Sequence, residues 1–158
     1  MKTDMCVACG EGFVNIRVGA LIVKDGKVLM VESNRGYLYS VGGRIKMGET
    51  AQEAVVREVF EETGVKMNVR KLIAVQENYF YGDSPSKMGK QFYEIAFYFQ
   101  MDVPKDFEPV SYTVTEGSVS ENLVWVAPDS EKTLYPDFFR EEIINPSKNV
   151  RYLLSDER

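Results

Sequence analysis

Residues 43–65 read GRIKMGETAQEAVVREVFEETGV, and the acids in this stretch decide how the rest of the chain is read. Glu58, Glu61 and Glu62 crowd within little more than one turn of a predicted helix. At about 100° per residue, Glu58 and Glu62 fall roughly 40° apart, with Glu61 about 60° to the other side of Glu58. Like charges at this spacing destabilise a helix. A charge run is usually a solvated face, but three acids on one narrow stripe are most simply explained by a bound cation. Magnesium takes oxygen ligands and shares them with substrate phosphates.

The helix carrying the acids is predicted over Thr50–Thr63. Thr50 is the N-cap, Glu53 completes a capping box, and Gly64 stands where a left-handed C-cap is expected. Val55, Val56, Val59 and Phe60 form the apolar arc expected to pack on a sheet.

Around this helix the chain reads mainly as strands. Asn15–Val23 and Lys27–Glu32 are β-rich and flank Asp25-Gly26, a hairpin signal. Tyr37–Val41 is a short strand expected to stop at Gly42-Gly43. Val65–Phe80 is extended with a break near Arg70-Lys71. Lys90–Met101 alternates around Phe92, Ile95, Phe97 and Phe99. Asp102–Ser120 is expected to be a long mobile loop. Leu123–Ala127 is a strand, Tyr135–Ile144 a short helix starting at Pro136, and Val150–Leu154 a terminal strand. The expected fold class is α+β with a mixed sheet.

Composition narrows the chemistry. At 158 residues the chain fits one domain. A net charge of −5 with no basic block disfavours a general nucleic-acid binder. There is no secretory signal and no spanning apolar run, so a cytoplasmic protein without a membrane partner is expected. The chain has no histidine, which excludes Ser-His-Asp and Cys-His sites and leaves acid–base work to carboxylates, Lys, Tyr or water. Cys6 and Cys9 are the only cysteines. A structural zinc needs four ligands, so they read as two thiols near a loose N-terminus.

Gly43, Glu49, Arg57, Glu58, Val59, Glu61, Glu62, Gly64 and Val65 together fill every fixed position of one signature. The signature is Gly, five residues, Glu, seven residues, Arg-Glu, an aliphatic, any residue, Glu-Glu, any residue, Gly, an aliphatic. It is that of the Nudix (MutT-like) hydrolases, and the chain resembles that family over roughly residues 13–155. Residues 1–12 are then an N-terminal tail and 13–158 the Nudix domain.

The resemblance implies an α/β/α sandwich on a mixed sheet. It also implies Mg²⁺-dependent, or sometimes Mn²⁺-dependent, hydrolysis of the diphosphate in a small nucleotide derivative. Glu58 and Glu62 look like the main metal ligands, with Glu61 completing the cluster and the Gly43 carbonyl joining it. Arg57 resembles the residue that holds the acids in place, and Glu49 the one that braces the loop–helix–loop; Gly64 is its cap. The catalytic base is one of the helix glutamates or, as is common in the family, an acid on the loop before the tryptophan strand. Here that strand holds Trp125, and Glu116, or else Glu121, precedes it. Val41 stands where the family commonly has proline, which alters loop stiffness but removes no ligand.

Tyr39 is the aromatic best placed to stack on a substrate base; the other strand aromatics are expected to pair across strands. The aromatic sheet is also compatible with a homodimer. Two other functions fit the same fold: a nucleotide-binding regulatory protein that does not turn its ligand over, and an RNA 5′-end pyrophosphohydrolase. The intact acidic set argues against the first, and the acidic charge against the second.

Overall fold

Period-two alternation sorts the apolar side chains into two cores on opposite faces of one mixed sheet. The computed structural model describes residues 2–109, 113–115 and 119–158. In chain order these form β1 (Cys6–Cys9), β2 (Gly12–Leu21), β3 (Val23–Lys24), β4 (Lys27–Glu32), β5 (Leu38–Arg44) and α1 (Ala51–Thr63). They continue through β6 (Asn68–Tyr81), β7 (Gln91–Asp102), β8 (Thr113–Thr115), β9 (Val119–Val126), β10 (Leu134–Tyr135), α2 (Phe139–Ile144) and β11 (Arg151–Asp156). β4 shows the division most plainly. Leu29 and Val31 join a core with Ala54, Val55 and Val59 of α1. Val28 and Met30 join the other, with Phe139 of α2. The helices therefore cover opposite faces, giving the α/β/α sandwich.

The strand path runs β11-β6-β7-β2-β5-β4-β9-β8. β2 pairs parallel with β7 and antiparallel with β5, so the sheet is mixed. The Asp25-Gly26 turn has positive φ at both residues (52° and 73°), as a two-residue hairpin requires. The expected break in β6 is a pair of register shifts, between Val69 and Lys71 and between Leu72 and Ala74. Tyr79 pairs with Tyr93 and Phe80 with Phe92, forming cross-strand aromatic pairs.

Several local expectations are corrected. β5 does not stop at Gly42-Gly43 but runs on to Arg44, because Gly42 and Gly43 stay in register with Gly19 and Val18 of β2. Residues 6–9, expected in a loose tail, form β1 and pair with β2 from Cys6↔Asn15 to Cys9↔Gly12. The late helix begins at Phe139, not Tyr135; Leu134 and Tyr135 instead pair with Leu38 and Tyr39 of β5. In the expected loop 102–120, Phe107 is buried against Trp125 and its carbonyl accepts from Lys24 Nζ at 2.7 Å. On α1 the buried stripe is Ala54, Val55, Val59 and Thr63, while Phe60 lies on the outer side and is 54% exposed. Among the described residues no helix is long and apolar enough to cross a membrane.

Candidate active site

α1 is fixed at both ends by its own sequence. The Thr50 hydroxyl accepts from the Glu53 N–H at 3.1 Å, and Glu53 accepts from the Thr50 N–H at 2.8 Å. Gly64 closes the helix with φ 76°, its N–H donating to the Phe60 carbonyl. Burying Val55 and Val59 stabilises the docked helix by roughly 1.5–3 kcal/mol each. The acidic side chains thus stand on a held scaffold.

Arg57 organises the site. Its Nε and Nη2 donate to the two carboxylate oxygens of Glu49 at 2.7 and 3.0 Å, a fork geometry. Nη1 donates to Glu58 at 2.7 Å and to Glu61 at 3.3 Å. Nη2 also reaches the Arg44 carbonyl at 3.0 Å. The pairing with Arg57, helped by the Lys46 N–H, lowers the Glu49 pKa to about 2. Hydrogen bonding to Glu49, with further help from Glu58, raises the pKa of Arg57 itself. One guanidinium therefore links the end of β5, the loop before α1 and two of the acids on α1.

Glu58 and Glu62 meet the end of β5. The Gly42 N–H donates to Glu62 Oε1 at 3.2 Å. A Cβ on Gly43 would lie 2.5 Å from the Glu58 carboxyl, and one on Gly42 would lie 2.1 Å from the Val18 carbonyl oxygen. Gly42 therefore excludes a side chain, and one at Gly43 would push the Glu58 carboxyl aside. Burial is the largest cause of the raised pKa of Glu62, which reaches about 8, with Glu58 and Glu61 adding to it against the Gly42 N–H and Arg17. Burial also raises the pKa of Glu58, against the pull of Arg57. Two adjacent acids with raised pKa values are an environment that a cation would relieve.

Three helix carboxylates beside the glycine backbone of β5 are oxygen donors of the kind that a hard divalent ion takes. Among the described residues, no three acidic or thiol side chains are already gathered into a metal-holding cluster. Glu58 and Glu61 instead both pair with Arg57.

Three further site residues are expected: Glu116, Glu121 and Tyr39. Glu116 falls outside the described residues. Glu121 is buried and accepts a hydrogen bond from the Tyr39 hydroxyl, so residues expected to serve as base and as stacking platform form one pair. Burial raises the pKa of Glu121. Tyr39 precedes Gly43 by four positions, about 13 Å along β5. Two surface hollows are lined by none of Glu58, Glu61 and Glu62. One of about 540 Å³ follows the outer side of α1 beside Phe60 and Lys66; the other, about 650 Å³, lies by Tyr79, Tyr81 and Tyr93.

Sequence reasoning missed a polar strip on the neighbouring strands. Asn15 Nδ2 donates to Glu94 at 2.6 Å and Asn15 Oδ1 accepts from Arg44 Nε at 2.9 Å. Asn15 and Glu94 are 3% and 6% exposed. Arg17 lies two positions beyond Asn15 on β2. Burial works against its charge, but Glu94, then Tyr98, Glu62 and Glu58 outweigh that and raise its pKa. The available signal was the alternation of Asn15 and Arg17 within an otherwise apolar run.

A NUDIX domain family model matches residues 14–145. The chain is 39% identical over 64 residues to the ADP-ribose pyrophosphatase of Methanocaldococcus jannaschii, covering 38% of each protein. It is 35% identical over 78 residues to the NAD-capped RNA hydrolase NudC of Photorhabdus laumondii, covering 46% of this chain and 30% of the relative. It spans between 23% and 40% of the length of four curated relatives that it matches. A crystal structure of a UDP-X diphosphatase shares the fold, with a TM-score of 0.59 at 21% identity, over 93% of this chain and 69% of that one. With the family match running through the capped helix, its acids and the sheet that carries them, the chain belongs to the Nudix family.

Proposed function

We propose that this chain hydrolyses the diphosphate linkage of a small nucleotide or nucleoside-diphosphate derivative. The cation would be Mg²⁺ or Mn²⁺, which Glu58, Glu62 and the Gly43 carbonyl would hold, with Glu61 completing the cluster through water. When bound, the ion supplies charge neutralisation of the diphosphate and Lewis acidity.

The chain's own residues supply the rest. Arg57 keeps Glu58 and Glu61 aligned on one side of α1, with Glu49 holding its other edge. Gly43 lets the Glu58 carboxyl lie against the backbone. Glu61, 50% exposed where Glu58 is 14% exposed, is the acid in reach of solvent. It takes the proton from the attacking water.

The observation that carries this reading is the single guanidinium that bridges Glu49, Glu58, Glu61 and the Arg44 carbonyl. An acidic face that served only solubility would need no such lock. The two relatives' names refer to ADP-ribose and to NAD caps, both of which join two moieties through a diphosphate. The test is a Mg²⁺-dependent hydrolysis panel of ADP-ribose, nucleotide sugars, dinucleotides and nucleoside triphosphates, with products separated by chromatography. The expected result is metal-dependent cleavage within the diphosphate. Binding without turnover across the panel would mean a sensor and overturn the proposal.

A further inference from the structure

Arg17 is placed like a residue that awaits an anion. Its register partners are Arg44 on β5 and Ala96 on β7. The first repels it, and the second has no side-chain acceptor and is too short to reach a guanidinium. Among the described residues, its guanidinium makes no side-chain hydrogen bond or close ion pair; Glu94, Glu62 and Glu58 act on it only through their charge. Asn15 cannot turn to help, because both ends of its amide are held, by Glu94 and by Arg44. An arginine presents five donors in a planar fork that matches phosphate oxygens. Holding such a group, only partly exposed, beside acids without bonding it to them is costly.

The charges also point one way. A cation held by Glu58 and Glu62 would put a net positive charge on the α1 side of Arg17. Glu94 would still act on Arg17 from β7, and an anion lying between the ion and Arg17 would be drawn to both. A diphosphate is such an anion.

We propose that Arg17 is a substrate-binding residue that takes non-bridging oxygens of the diphosphate on the β2 side of the site. Asn15, Arg44 and Glu94 form the locked floor that aims it. This rests on the proposed hydrolase reading and deepens it.

The test compares wild type, Arg17→Met and Arg17→Lys by calorimetry, with thermal melts as a folding control. The probes are Mn²⁺ alone, then α,β-methylene-ADP and methylenediphosphonate in the presence of Mn²⁺. Arg17→Met should bind Mn²⁺ within about twofold of wild type and lose about tenfold or more in affinity for both phosphonate probes, since it removes a charge-assisted hydrogen bond. Arg17→Lys, which keeps the charge and loses the fork, should lie between and guards against misfolding of the methionine variant. Unchanged affinity for both probes overturns the proposal. So does weakening of the nucleotide alone, which would put Arg17 on the nucleoside. Loss of Mn²⁺ together with the probes would make Arg17 a support of the metal site and also overturns it. If wild type binds no Mn²⁺, the hydrolase reading itself falls and this proposal falls with it.

Discussion

Arg57 and Arg17 are both surrounded by carboxylates, yet they are held in opposite ways. Arg57 donates to Glu49, Glu58, Glu61 and the Arg44 carbonyl, so its donors are used within the chain. Arg17 sits one strand away and feels Glu94, Glu62 and Glu58 only through space. A saturated arginine is a fastener. An arginine with donors to spare is suited to a ligand. On the proposed reading, the difference separates the part of the site that shapes the reaction from the part that meets the substrate.

Glu62 lies between these two regions, since it contacts Gly42 and also acts on Arg17. Changing it should have the largest effect. Glu62→Gln and Glu58→Gln are each expected to lower metal-dependent turnover by about 100-fold or more, as loss of several kcal/mol of charge stabilisation implies. Steady-state rates with Mg²⁺, beside a circular-dichroism melt, measure this. Near-normal rates in both variants would mean that the acids of α1 do not hold the cation.

Glu49→Gln would make Arg57 more like Arg17, by removing the partner that takes its fork. Activity should fall roughly 10- to 100-fold, the range seen when supporting partners of a metal site are lost. Stability should fall by about 1–3 kcal/mol, because a mostly buried charged pair is broken. The pH dependence has a defined sign. The folded pKa of Glu49, about 2, lies below its ordinary value of 4.5. Its stabilisation is therefore fully present above about pH 4.5 and lost as the pH falls towards 2. Acid melts of the variant should flatten in that window; an unchanged acid limb would show that the pair contributes nothing to folding.

How much of this was legible depends on how local the chemistry is. Gly43 through Val65 is one continuous stretch, so its caps, acids and arginine could be read by counting along the chain. The polar floor draws Asn15 and Arg17 from β2, Arg44 from β5 and Glu94 from β7, and only strand register brings them together. No spacing rule links residues 79 positions apart, as Asn15 and Glu94 are. Phe60 misled for a related reason: it is apolar and helical, but one residue beyond Val59 turns it about 100° away from the core. The short β10 was invisible because two residues carry no periodicity, and their pairing with Leu38 and Tyr39 is a tertiary contact.

Metal affinity should itself depend on pH through Glu62. Its folded pKa, about 8, lies above the ordinary value of 4.5, so in the metal-free protein it holds a proton at neutral pH. A cation must displace that proton. Folding stability without metal should thus decline as the pH rises from about 4.5 to 8, opposite in sign to the Glu49 contribution. Mn²⁺ affinity should rise by up to about tenfold per pH unit below 8 and level off above it, as release of one proton requires. Calorimetry in buffers of different ionisation enthalpy counts the proton directly. No proton released at pH 7 would mean that Glu62 is already ionised when the metal arrives.

The smallest expected effect lies at the outer end of the polar floor, where Cys6 pairs in register with Asn15. Cys6 and Cys9 are three positions apart on one strand, so their side chains point to opposite faces with their Cα atoms about 10 Å apart. A disulfide needs Cα atoms within about 7 Å, so the pair cannot close on itself. A shared zinc is excluded on the same geometry as long as β1 stays paired with β2. Cys9 is exposed, and the contact found at Cys6 is a long one, from Lys87 Nζ to Sγ at 3.5 Å. The double variant Cys6→Ser with Cys9→Ser should therefore change stability by no more than about 0.5 kcal/mol and leave turnover intact. If activity and stoichiometric zinc were lost together, the floor of the site would depend on a metal bound at the hairpin. The contrast between a self-contained loop–helix–loop and a floor held by register alone would then fail.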